Sequence, residues 1–156
     1  MHDIGFESHD HEACVVEALK TAETCCAERQ AQLTPVRRRV LEILLQEHRA
    51  MGAYDILAQL AQEGLGSQPP VAYRALDFLE KQGLVHKIER LNAWLACSHA
   101  GSEHSPLFLI CRECGAVAES AIPRIGLRKA AEDVGFLIET TVVEAEGLCP
   151  ICQKAA

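Results

Sequence analysis

Residues 69–97 read PPVAYRALDFLEKQGLVHKIERLNAWLAC, and a change of period inside them decides the fold. From Pro69 to Gln82 the apolar residues Ala72, Ala75, Leu76 and Leu79 recur at helical spacing, behind a proline pair suited to a first turn. Gly83 stops that helix. Leu84 to Ile88 and Ala93 to Cys97 then read as two strands around the polar turn Glu89 to Asn92. A helix leading into a β-hairpin is the end of a winged helix-turn-helix, whose last helix enters the major groove of DNA. The outer row of this helix is Tyr73, Arg74, Asp77 and Lys81; Arg can bridge guanine acceptors and Tyr can bond a phosphate. The solvated face of an ordinary helix could carry the same residues, so the flanking chain must decide.

Upstream, Ala53 to Gln62 fits a helix with Tyr54, Leu57 and Leu60 inward, broken by Gly64 to Ser67. Leu33 to Arg49 carries another, with Thr34 as N-cap, Pro35 as first helical residue and Val36, Val40, Ile43 and Leu44 inward. Arg37, Arg38 and Arg39 crowd its first turn, where the helix dipole disfavours cations and free N–H groups attract an anion. A phosphate would reverse that penalty; three solvated arginines are the ordinary alternative. Ala13 to Gln32 suggests an amphipathic helix through Val15, Val16, Leu19, Ala22 and Cys26. Residues 1–12 show no apolar period and read as a flexible tail.

The net charge of −7 argues against a nucleic-acid partner until its distribution is read. Residues 29–90 hold nine Lys and Arg against seven acids, whereas residues 1–28 hold one Lys against seven. Only the middle segment has the surplus of positive charge that a phosphate-contacting surface needs. The densest apolar run, Leu107 to Cys111, is far below the roughly 18 residues of a bilayer span, so no membrane partner is expected. Met1, His2 and Asp3 do not begin a secretory signal, which predicts a cytoplasmic location and makes the eight cysteines metal ligands or reduced thiols.

Downstream lie short strands at Leu107–Cys111 and Ala116–Glu119, a helix from Pro123 to about Val134, and a last strand from Phe136 to Glu144 with the alternation Phe136, Ile138, Thr140, Val142. The expected class is α+β: an N-terminal winged helix-turn-helix DNA-binding domain and a small C-terminal α/β dimerisation domain. The boundaries read as a flexible 1–12, a DNA-binding domain 13–92, a hinge 93–98 and a zinc-binding dimerisation domain 99–156.

Cys111-Arg-Glu-Cys114 and Cys149-Pro-Ile-Cys152 are paired thiols at the spacing with which two tight turns complete a tetrahedral four-cysteine zinc site. A redox dithiol is the competing reading, but it uses one pair at a strand-to-helix junction. A second set, His86, Cys97, His104 and Glu119, mixes nitrogen, sulfur and oxygen donors that also suit zinc. His86 is read as ending the first wing strand and Cys97 the second, so one ion would tie the wing to the C-terminal domain. Each residue alone has an ordinary account: a surface His, a small buried Cys, a loop His, a solvated Glu. His9, His11 and Cys14 could hold a further ion, but a mobile acidic tail accounts for them.

Leu33-Thr-Pro-Val-Arg37, Ala53-Tyr-Asp-Ile56, Pro69 to Phe78, Gly83-Leu-Val-His86, Cys111-Arg-Glu-Cys-Gly115 and Gly147-Leu-Cys-Pro-Ile-Cys152 together resemble the ferric uptake regulator family, most closely its zinc uptake regulator branch, from about Gln32 to Cys152. The resemblance implies a homodimeric repressor of zinc-uptake genes that binds double-stranded DNA at an A·T-rich inverted repeat. It implies two zinc ions per chain, structural at Cys111, Cys114, Cys149 and Cys152 and regulatory at His86, Cys97, His104 and Glu119. Arg37, Tyr54, Tyr73 and Arg74 are the candidate DNA contacts. The segment before the first cysteine pair keeps one histidine, His104, where the iron-sensing branch carries a histidine and aspartate cluster, which favours zinc over iron or peroxide sensing. Val71 stands where the family usually has Thr, so one phosphate contact is missing.

A zinc enzyme would keep three protein ligands and an open position, whereas each set here offers four. No nucleophile triad or phosphate loop points to catalysis on a small organic substrate. A zinc-stapled adaptor without DNA binding is disfavoured by Arg37 to Arg39 and by the Tyr73-Arg74 helix.

Overall fold

The computed structural model describes residues 11–47, 49–102, 104–121 and 125–155, with all of their side chains except those of His11 and Ala121. Four helices come first: α1 (His11–Glu28), α2 (Pro35–Gln46), α3 (Ala53–Gln62) and α4 (Pro69–Lys81). The wing follows as β1 (Val85–Ile88), a 3-10 turn (Glu89–Leu91) and β2 (Ala93–Ala96). The C-terminal unit holds β3 (Pro106–Cys111), β4 (Val117–Ala121), α5 (Ile125–Asp133), β5 (Val143–Gly147) and α6 (Pro150–Ala155).

The local signals act where sequence places them. The Thr34 side chain accepts the Arg37 N–H at 3.4 Å and caps α2, with Pro35 as the first helical residue. Gly83, at φ +70°, ends α4 and lets the Leu84 N–H reach the Leu79 carbonyl at 2.9 Å. One apolar cluster joins α1 to the wing through Leu19, Ala22, Cys26, Val40, Leu44, Ile56, Leu60, Ala72, Leu76, Leu79, Val85 and Trp94. The amphipathic α1 thus packs on α2, although Val16, on its expected inward face, is exposed. Truncating Leu76 or Leu79 to Ala would cost about 2–5 kcal/mol, since both are fully buried. In α3 the inward residues are Ala53, Ile56, Leu57 and Leu60; Tyr54, expected inward, is 67% exposed.

In the hairpin Val85 pairs with Ala96 and Ile88 with Ala93, so Ala93–Ala96, assigned to the hinge by sequence, belong to the wing. His86 is accordingly the second residue of β1 and does not end it, and Cys97 directly follows β2. The second sheet has the order β4-β3-β5, antiparallel between β3 and β4 and parallel between β3 and β5. A smaller apolar cluster, Ile88 and Leu95 from the wing with Phe108, Ile110 and Val117 from the sheet, locks the two units together.

The last strand is Val143–Gly147 and not Phe136–Glu144, and a short helix, α6, follows it. Cys111 pairs with Gly147, which brings Cys149 beside Cys111; that tertiary register overrides the stronger alternation of residues 136–142. Phe136, Leu137 and Val142 stay exposed in the single chain.

Candidate metal centres

The sulfur atoms of Cys111, Cys114, Cys149 and Cys152 lie within 4.8 Å of one another. Cys111 ends β3, and Gly115, at φ +73°, turns the chain so that its N–H reaches the Cys111 carbonyl at 3.0 Å. Cys149 follows β5, and Cys152 lies in α6. The Cys149 N–H donates to Cys111 Sγ at 3.3 Å and the Cys152 N–H to Cys149 Sγ at 3.4 Å. The N–H groups of Cys114 and Cys149 pull the Cys111 thiol below its ordinary value, and the neighbouring Cys149 sulfur pushes Cys152 up. Four sulfurs converging from two tight turns match in type and number the donors that a closed tetrahedral zinc site uses, so these residues could hold one ion.

The second set comes from two strands and the connector between β2 and β3. His86 stands on β1, Cys97 follows β2, His104 precedes β3, and Glu119 stands on β4, yet their ligand atoms also lie within 4.8 Å of one another. Glu119 Oε1 is 2.8 Å from His104 Nε2, 3.3 Å from His86 Nε2 and 3.7 Å from Cys97 Sγ. The His104 Nδ1–H donates to the Ser102 carbonyl at 2.9 Å, which orients the ring with Nε2 toward the cluster. His86 Nε2 is buried and, out of alignment with Oε1, lacks a hydrogen-bond partner. An unpartnered imidazole nitrogen beside a thiol and a buried carboxylate is costly as it stands, and a cation among them would satisfy all. The donors fit zinc.

The electrostatics agree. Burial resists ionisation of Glu119, but the His86 ring, the Ser98 N–H and His104 outweigh it and hold the carboxyl down at about 2. Burial, and then the Glu119 charge, push the Cys97 thiol up to about 12. Two neighbours went unnoticed in the sequence, where nothing in spacing marks them. Ser98 binds Glu119 Oε2 through its N–H at 2.9 Å and its hydroxyl at 3.1 Å, and His99 Nδ1 lies 3.1 Å from the Ser98 hydroxyl. Of the possible third set, His9 and the His11 side chain lie outside the described residues.

Tyr73 and Arg74 project from the exposed face of α4, and Tyr73 makes an edge-to-face contact with Trp94 at 6.0 Å between ring centres. The three arginines of α2 are not equivalent. Arg38 pairs with Glu23 and Glu42, and Arg39 with Glu63 and Glu42, so glutamates answer the charge that sequence reserved for an anion. Arg37 instead donates to the Gln32 carbonyl at 2.6 Å and stacks over Phe78 at 3.8 Å.

Residues 28–145 match the profile of the ferric uptake regulator family. The chain belongs to the ferric uptake regulator family. It is 39% identical over 140 residues to the zinc uptake regulation protein of Escherichia coli (strain K12), covering 87% of this chain and 81% of that protein. A solved zinc uptake regulator complexed with zinc and DNA superposes with a TM-score of 0.86 at 38% identity, over 90% of this chain and 96% of that one. Holo XcZur gives 0.80 over 88% of this chain and 98% of its own, whereas apo XcZur gives 0.52 over 90% and 99%, both at 35% identity. At equal identity, this chain superposes more closely on the holo form than on the apo form. The family is one of transcription regulators, not enzymes, built as a DNA-binding domain followed by a dimerisation domain. Among the described residues, no helix is long and apolar enough to cross a membrane.

Proposed function

We propose that this protein is a homodimeric repressor of zinc-uptake genes that binds its operator when zinc occupies His86, Cys97, His104 and Glu119. The observation that carries the reading is that these four ligand atoms, drawn from the wing, the connector and the C-terminal sheet, converge within 4.8 Å. An ion can shift a conformational equilibrium only by its difference in affinity for the two states. Opening the units would part His86 from Glu119, so only the closed arrangement offers the full set. Zinc would supply a four-coordinate tie across that boundary.

The second zinc, at Cys111, Cys114, Cys149 and Cys152, would be structural, holding α6 and the turn after β3 to the end of β5. The resemblance to holo XcZur, and to a regulator solved with zinc and DNA, supports the closed form as the DNA-competent one. Tyr73, Arg74 and the exposed Tyr54 would face double-stranded DNA, with Arg37 behind them. Exposed Ile125, Val134, Phe136, Leu137 and Val142, all in the C-terminal unit, support that unit as the dimer face, since large apolar side chains left in water favour an interface. The connector between the domains would begin at Cys97.

The reading is tested by incubating sheared host genomic DNA with the protein at low and high buffered zinc and sequencing what is retained. A few A·T-rich inverted repeats, retained only at high zinc, are the expected result. Retention indifferent to zinc would demote the second site to a structural one, and no retention would return the adaptor reading.

A further inference from the structure

Glu119 has two oxygens, and the structure treats them differently. Oε1 faces His86 Nε2, His104 Nε2 and Cys97 Sγ. Oε2 instead accepts the Ser98 N–H at 2.9 Å and the Ser98 hydroxyl at 3.1 Å. A hydroxyl has one proton, and the carboxylate has none to give, so Ser98 commits its proton to Oε2. The 3.1 Å contact between Ser98 Oγ and His99 Nδ1 is then a bond donated by the His99 Nδ1–H. A chain runs from His99 through Ser98 to Oε2.

We propose that Ser98 is the positioning residue that makes Glu119 a one-oxygen ligand and so helps to select the metal of this site. The proposal rests on the reading of His86, Cys97, His104 and Glu119 as a metal site. One carboxylate oxygen, two imidazole nitrogens and one thiolate are four donors, the number zinc prefers. Were Oε2 free to swing in, the carboxylate could bind through both oxygens and raise the coordination number, which suits metals of higher coordination such as manganese(II). The main-chain N–H of Ser98 cannot be removed by substitution, but the hydroxyl can.

Thr and Val have nearly one shape and differ in that hydroxyl, and Ser98 is exposed enough to accept either. Val also places a methyl group where a water would otherwise replace the lost donor. The test uses full-length dimer from which mild chelation has taken the second-site metal while the zinc of the four-cysteine site stays. Cobalt(II) is then titrated into wild type, Ser98→Thr and Ser98→Val. Four-coordinate cobalt absorbs far more strongly in the visible than five- or six-coordinate cobalt, so the spectrum reads the donor count directly.

Wild type and Ser98→Thr should give the intense four-coordinate spectrum. Ser98→Val should give a weaker band per cobalt, a zinc affinity lowered about tenfold, and a narrower preference for zinc over manganese(II). A Ser98→Val protein with the wild-type spectrum and affinity would overturn the proposal. Wild type that takes up no cobalt beyond the four-cysteine site would overturn the metal-site reading, and this inference with it.

Discussion

His86 Nε2 and Glu119 Oε1 lie 3.3 Å apart, although one belongs to the wing of the helical unit and the other to β4 of the C-terminal sheet. The Glu119 side chain is 1% exposed, so its charge is held out of water by the contact of the two units. Neither residue has reason to stay there once the units part.

Removing one ligand from this set should cost the switch and spare the fold. Cys97→Ala is expected to hold one zinc per chain in place of two, to remain a dimer by sedimentation, and to lose zinc-dependent retention of genomic DNA. Wholesale unfolding of this variant would mean that the structural and sensing roles have been exchanged.

Cys114→Ser should do the reverse. Cys114 Sγ lies 3.8 Å from Cys149 Sγ, and the four cysteines gather at the adjacent C-terminal ends of the parallel strands β3 and β5. Because zinc binding supplies folding free energy, this variant should lose far-ultraviolet circular dichroism and run as a monomer. A stable dimer with full signal would remove the site from the folding account.

Sequence made most of this legible. The helices α2, α3 and α4 are legible because each buries a 3.6-period stripe in one core, and Thr34 and Gly83 mark ends that the backbone uses. Tyr54 misled because an aromatic at an apparently inward spacing counts as core; its register on α3 turns it to solvent instead. The misplaced β5 has a different cause. Residues Val143–Gly147, with Glu144 and Glu146, look poor as a strand, and only pairing with β3 makes them one. The two metal sets were legible as ligand types, whereas Ser98 and His99 were not, since their role is set by where Glu119 arrives in space.

On the proposed DNA face, Arg74→Ala should weaken specific binding by about 1–3 kcal/mol and leave thermal stability unchanged, if it reads a base. Arg37→Ala should lower both, because its guanidinium also bonds the Gln32 carbonyl and stacks on Phe78. Filter binding and differential scanning calorimetry on the two variants separate these cases; an unchanged affinity for Arg74→Ala takes it off the interface.

The wing is also strapped to the sheet without metal. Glu144 accepts the N–H groups of Glu89 and Arg90 at 2.8 and 3.1 Å, and Arg90 pairs with Glu146 at 2.9 Å. These groups are partly exposed, so Glu144→Gln should cost less than about 1 kcal/mol. Its signature is a zinc affinity a few-fold weaker at the second site only, read by competition with a chelator; equal affinities would show that the strap does not bias closure.

Leu137→Glu places a charge among the exposed apolar residues of the C-terminal unit and should raise the dimer dissociation constant without unfolding the chain, as sedimentation equilibrium would show. An unaltered constant would move the dimer face elsewhere.

The central claim is that zinc and operator favour the same closed state, and linkage makes that reciprocal: whatever factor zinc adds to DNA affinity, DNA must add to zinc affinity. The direct measurement is competition of a chelator for the second-site zinc, with and without an operator fragment recovered from genomic DNA. Tighter zinc binding in the presence of the fragment, lost in Cys97→Ala, is the predicted result. Equal zinc affinity with and without the fragment would contradict the account.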